Sequence, residues 1–195
     1  MEEIIFMLNL KGKSILVSCA LLLSFSVQAE NKSDNAGKHL VLNLVGTGSM
    51  YENMVPDIDG DGQDDPAMCF DVQVFDAHTN QVLGKGTDCL AMVTPTGTGI
   101  ALVGTTYFHL AGGTLITRGK TSVQPVFHPT VTPRGQVITH ITGASGDGNA
   151  IVGGTGRFAH AKGTARLSGM VSMANFSGNV GDPISFDCLF VVALD

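Results

Sequence analysis

The chain contains no tryptophan and only two tyrosines, Tyr51 and Tyr107, in 195 residues. Stacking platforms for sugars are built from several such rings, so carbohydrate recognition of that kind is disfavoured. Lysine and arginine number 11 against 17 aspartates and glutamates, leaving a net charge of -6. No basic stripe is present to neutralise phosphates, which argues against nucleic acid and against an anionic membrane surface as partners. The sequence has no G-x-S-x-G elbow, no H-E-x-x-H and no C-x-x-C pair. A standard hydrolase triad and the common zinc or dithiol centres are therefore disfavoured. No window sustains the apolar spacing of a helix, and beyond the N-terminal segment no apolar run reaches the roughly 20 residues of a spanning helix.

What the chain does have is 44% hydrophobic residues and 25 glycines. That is enough apolar material for one domain with a sizeable core. Residues 1–29 read as an export signal: Lys11 and Lys13, an apolar run from Ser14 to Val27, and a small-x-small site at Val27-Gln28-Ala29. Cleavage after Ala29 is expected, with Met7 as the natural initiator because Glu2 and Glu3 suit a basic start badly. Leu16-Val17-Ser18-Cys19 also matches a lipoprotein box, but the apolar run follows Cys19 instead of preceding it. A secreted or periplasmic protein without membrane attachment after processing is the expectation. Residues 30–38 are polar and read as a loose tail, and 39–195 as a single domain.

Removing the signal leaves Cys69, Cys89 and Cys188, an odd count that permits one disulfide and one free thiol. Cys69 and Cys89 are equidistant from Thr79, inside a turn-like Ala77–Gln81 segment between two strand-like runs. Residues so placed face each other across a hairpin, so a Cys69–Cys89 disulfide is predicted. Cys188 lies in an apolar run and is expected to be buried and free.

Strand signals with glycine or proline punctuation recur at 39–45, 67–76, 82–93, 99–110, 114–120, 122–127, 136–142, 150–153, 165–173 and 184–194. Short strands at this spacing predict an all-β barrel or sandwich. The most specific stretch is Ile151–Ala165, which reads as a strand, a glycine corner plugged by Phe158, and a returning strand. A phosphate cradle is the rival reading of Gly153-Gly154-Thr155-Gly156, but no Lys-Ser/Thr and no helical period follow it. The stretch resembles the GGTG-x-F-x-x-A-x-G-x-A signature of dirigent proteins, which share a superfamily with the allene oxide cyclases. The resemblance extends over Gly84–Leu194 and is sharp only at 151–165. It implies an antiparallel eight-stranded β-barrel that encloses a small apolar molecule and steers its isomerisation, cyclisation, lyase or coupling chemistry without a redox cofactor. The catalytic residues of the plant members lie outside the shared motif, and none is carried over.

A departure from that pattern is the acidic insertion Pro56–Pro66. Asp57, Asp59 and Asp61 alternate, Gln63 follows, and Asp65 stands ninth, the D-x-D-G-D-G-x-x-D spacing of short calcium loops. Calcium takes six to eight oxygen ligands, and alternate residues of a tight loop can aim carboxylates at one centre. Asp57, Asp59, Asp61, Gln63 and Asp65 are the candidate ligands of a structural Ca²⁺, against the alternative of a solvated acidic turn. A full EF-hand is excluded because its twelfth position falls on Met68.

In a small barrel alternate residues point inward, and an inward polar residue suggests a ligand site. Thr105, Tyr107 and His109 share one face of Gly99–Leu110, and Leu102, Gly104, Thr106 and Phe108 the other; the sequence does not say which is inside. If the former, Tyr107 and His109 are the candidate catalytic groups, able to donate to a substrate oxygen or move a proton. If the latter, they face solvent or pack against a neighbour. Asp71, Gln73 and Asp187 pose the same question, since a carboxylate inside a barrel would have a raised pKa and could serve as a general acid. His140, Arg166, Arg157 and His160 read as surface or turn-supporting residues. The alternative to an enzyme is a non-catalytic binding or structural barrel that docks a partner, and a homo-oligomer is left open by both.

Overall fold

A computed structural model describes residues 38–195, so the signal segment and almost all of the tail lie outside the described residues. The described chain is all-β apart from one 3-10 turn. Ten strands follow in order: β1 Lys38–Ser49, β2 Tyr51–Val55, β3 Asp65–Asp76, β4 Val82–Thr96, β5 Gly99–Leu110, β6 Gly113–Val131, β7 Val137–Ala144, β8 Ala150–Gly154, β9 Gly163–Ser172 and β10 Pro183–Leu194. All pairings are antiparallel, and the order β1-β10-β9-β7-β6-β5-β4-β3 closes on itself through β1 and β3. β8 shares the place of β7 between β6 and β9, while β2 prolongs β1 along β3. The result is the eight-stranded closed barrel expected from the strand pattern.

The strands form because apolar residues alternate along them. Phe70, Val72 and Val74 on β3, Leu42 and Leu44 on β1, and Phe186, Cys188, Phe190 and Val192 on β10 all join one interior core. Phe70 meets Phe186 edge to face, and Phe108 meets Phe190 likewise, with ring centroids 5.2 and 5.1 Å apart. The corner at 154–163 has the predicted form. Gly156 sits at φ +56, and a Cβ on Gly154 would stand 2.9 Å from the Thr114 carbonyl, so both positions favour glycine. Phe158 fills the corner as part of the core, with the Arg157 guanidinium 4.6 Å above its ring.

Two segments differ from the sequence reading. β6 is one strand of 19 residues where two were expected on either side of Thr121. Gly119, inside the first of those two segments, admits a neighbouring side chain. β2, with the sequence Tyr-Glu-Asn-Met-Val, carries no alternation and was not foreseen. With β3 it forms a hairpin whose connection is the acidic loop.

The hairpin register is as predicted. Cys69 and Cys89 are paired across β3 and β4 and joined by a disulfide, and Cys188 is free and buried. The disulfide lies on the outer wall, in a second apolar cluster with Val55, Ala67 and Ala91, against which Tyr51, Ile58 and Tyr107 pack. No helix among the described residues is long and apolar enough to cross a membrane.

Candidate functional site

The disulfide register decides which polar side chains enter the barrel. With Cys69 opposite Cys89 on the outside, Phe70 opposite Asp88 must be on the inside. Asp88 is accordingly buried, and burial pushes its carboxyl up to about 7, with a hydrogen bond donated by Thr106 Oγ1 (2.5 Å) working in the opposite direction. A carboxyl poised near neutrality can give or take a proton without help from a second titrating group.

Asp88 and Thr106 border an interior cavity of about 40 Å³, little more than the roughly 30 Å³ that one water takes up in the liquid. Its apolar wall includes Leu102, Val171, Ile184, Phe186 and Phe190. Its polar side adds Thr117, Thr121, Thr142 and Asn149, all buried. Asn149 comes from the loop between β7 and β8, and its side chain lies directly over Gly119, where any Cβ on β6 would collide with it. A mostly apolar chamber with a few convergent polar groups is the usual form of a small-ligand site.

Tyr107 and His109 stand on the opposite side of the wall. The inward residues of β5 are Leu102, Thr106 and Phe108, so the face shared by Thr105, Tyr107 and His109 is the outer one. The carboxyl on the inner face is that of Asp88, which sequence reasoning passed over. Tyr107 packs on the disulfide cluster, with its ring parallel to that of His109 at 6.4 Å. Burial raises the Tyr107 pKa and, aided by Lys85, lowers that of His109.

His109 belongs to an outer network. Thr87 Oγ1 donates to Asp71 (2.6 Å) and lies 3.3 Å from His109 Nε2, while His109 Nδ1 is 3.1 Å from Thr114 Oγ1. Tyr51 Oη and Lys85 Nζ also donate to Asp71, at 3.1 and 3.0 Å. Burial alone would raise the Asp71 pKa, but the bonds from Thr87 and Lys85 outweigh it and hold the carboxyl low. Asp71 therefore faces outward as a fixed anion, Gln73 is exposed, and Asp187 accepts a bond from Asn43 (3.2 Å) on the outside of β1 and β10. His140 pairs locally with Thr139 (2.6 Å).

The acidic loop is anchored to the outer wall. Arg118 on β6 donates through Nη1 to the Asp57 carbonyl (2.7 Å) and through Nη2 to the Pro56 carbonyl (2.5 Å), while its Nε reaches Thr105. Carboxylate oxygens of Asp57, Asp59 and Asp61 lie within 4.8 Å of one another. Asp57 accepts from the Gly60 and Gly62 amides, which lower its pKa, and Asp61 accepts from Gln63. Asp65 turns back to the Ile58 amide (2.5 Å).

The fold and this interior define a closed all-β barrel with a single buried acid in a mainly apolar chamber. No family model matches the chain, and no curated protein matches it.

Proposed function

We propose that the mature protein is an exported barrel, of the dirigent and allene oxide cyclase type, that binds a small and largely apolar molecule in its interior. The observation that carries this is the placement of Asp88, a buried acid with a pKa near 7, on a cavity otherwise walled by Leu102, Val171, Ile184, Phe186 and Phe190. Burying an unpaired acid is costly unless it has work to do. With one group cycling between acid and base, the site suits proton-transfer chemistry such as isomerisation or cyclisation, in which the walls hold the reacting conformer and no redox cofactor takes part. The cavity as it stands is small, so a ligand of more than a few heavy atoms requires a side chain such as Met173 to swing aside, which a thioether does readily.

Export is supported by the signal-like segment together with the Cys69–Cys89 disulfide, a bond that persists in oxidising compartments. A structural Ca²⁺ held by Asp57, Asp59 and Asp61 is supported by the clustered oxygens of these three carboxylates, with Gln63 and, on release from the Ile58 amide, Asp65 as the further ligands of the proposed shell. The non-catalytic alternative has its own support in an open groove of about 690 Å³ between β2, β3 and β4, with Met54, Met68 and Met92 on its walls, where a partner could dock.

Native mass spectrometry of the protein isolated from its own compartment separates the two. A co-purified small molecule that is lost when the interior is filled by Leu102→Phe supports the interior site; a protein that carries no such molecule and retains none when soaked with apolar compounds favours the docking module.

A further inference from the structure

Three of the six methionines in the described residues, which are Met50, Met54, Met68, Met92, Met170 and Met173, line the one groove beside β2, β3 and β4. The strand register puts them together. Tyr51, Val55, Cys69 and Ala91 belong to the outer cluster around the disulfide, so their neighbours Glu52, Met54, Met68 and Leu90 share the opposite face. Met54 stands opposite Pro66 and Met68 opposite Glu52, which makes the two methionines diagonal neighbours across β2 and β3. On the other flank Met68 stands opposite Leu90, and Met92 follows two residues further along β4. Long side chains in such diagonal positions reach one another. Met92 is brought in by a break in the ladder: the pairing of β4 with β5 shifts between Ala91 and Thr94, and Met92 takes φ +51, a left-handed conformation that few non-glycine residues adopt.

Met54 and Met92 are about half exposed, at 49% and 45%, while Met68 packs against the interior core where the groove meets it. What sulfur adds to apolar contact is a soft, neutral donor on an arm of three rotatable bonds, and three such arms can close on one soft cation. Glu52, opposite Met68 on the same face, offsets the charge of such an ion. The donor set turns away harder metals: Ca²⁺ and Mg²⁺ take oxygen ligands, and Zn²⁺ is held by thiolate, imidazole or carboxylate groups. We propose that Met54, Met68 and Met92 form a binding site for a soft monovalent cation, Cu⁺ being the metal that thioethers select. The ion is held and released as Cu⁺, with no electron transfer. The site lies apart from the interior cavity and is independent of any ligand bound there.

The test titrates the full-length mature protein, labelled with ¹³C at its methionine methyl groups, with Ag⁺ as the redox-inert counterpart of Cu⁺. The expected result is a single bound ion that shifts the methyl signals of Met54, Met68 and Met92 and leaves those of Met50, Met170 and Met173 in place. Cu⁺ maintained by ascorbate should move the same three signals. Met54→Leu and Met92→Leu keep the apolar bulk at exposed positions but remove the donor, so each should weaken Ag⁺ binding about tenfold or more. The methyl signals of the unmutated protein decide the matter alone should a variant fail to fold. Groove signals that stay in place under Ag⁺, or Ag⁺ binding that is equally tight in both leucine variants, overturn the thioether site and leave the groove as an apolar surface. Uptake of Ag⁺ with all six methyl signals unmoved places the ion elsewhere, at a thiol or imidazole, and overturns it as well.

Discussion

Phe70 and Asp88 face each other across β3 and β4, one residue along from the Cys69–Cys89 disulfide. A strand alternates faces residue by residue, so the covalent pair on the outside fixes its neighbours on the inside. A carboxylate is thereby carried into a core whose other members are Phe108, Phe186 and Phe190. The disulfide and the buried acid are two consequences of a single register.

The first prediction concerns pH. The folded pKa of Asp88, about 7, lies above its ordinary value of 3.8. Between those two values the folded state binds more protons than the unfolded state, so stability falls as pH rises. The full contribution is present below about pH 4 and is lost by about pH 7, an effect of up to about 4 kcal/mol at 1.36 kcal/mol per tenfold. Asp88→Asn keeps an acceptor for Thr106 and never ionises, so it should remove most of this slope and raise the melting temperature at pH 8 relative to the unmutated protein. Parallel melting curves for the two proteins from pH 4 to 8 would place the carboxyl in water.

The acidic loop should respond to calcium. Millimolar Ca²⁺ is expected to raise the melting temperature by mass action, a chelator to reverse it, and Asp59→Ala with Asp61→Ala to abolish it. An unmutated protein indifferent to calcium would mark the loop as a solvated turn held by its own amides.

Reduction of the disulfide frees a loop closed over a sequence separation of 20. The loop-entropy estimate for that length is about 3 kcal/mol. Cys69→Ala combined with Cys89→Ala should therefore lower stability by about that amount in denaturant unfolding. In the native protein Cys188 should resist thiol reagents, because burial, together with Asp88 and Asp187, raises its pKa well above the usual thiol value.

Tyr107→Phe and His109→Ala should leave interior ligand binding unchanged within about twofold, since both side chains lie beyond the wall. His109→Ala is expected to loosen Thr87 and Asp71 instead, read as a lower melting temperature by up to about 1 kcal/mol in equivalent stability. A loss of interior binding in either variant would mean that the outer network reaches the cavity.

Much of this fold was legible in the chain. The alternation in β3, β5 and β10 marks strands half buried in a common core, and the midpoint at Thr79 gives the hairpin register. The glycines at 154 and 156 mark a corner that side chains would block. β2 was not legible, because Tyr51–Val55 owes its strand conformation to pairing with β3 and to the apolar patch around the disulfide. The continuity of β6 was hidden by the polar stretch Gly119–Ser122, which reads as an end of one strand and the start of another but runs on as a single strand paired with β5. The candidate site was half legible. The faces of β5 cannot be assigned from β5 alone, whose two faces are similarly mixed. The signal lay on β4, where the predicted disulfide register already sets Asp88 opposite Phe70 and so among the inward residues. Asn149, brought in by a loop between β7 and β8, leaves no periodic trace.

The titration of the Asp88 side chain, followed by its ¹³Cγ resonance in uniformly labelled protein, tests the interior acid most directly. A midpoint near pH 7 that shifts when an apolar alcohol is added is the expected result. A midpoint near 4, unmoved by any ligand, would show a solvated carboxylate and contradict the account of the barrel interior as a proton-transfer site.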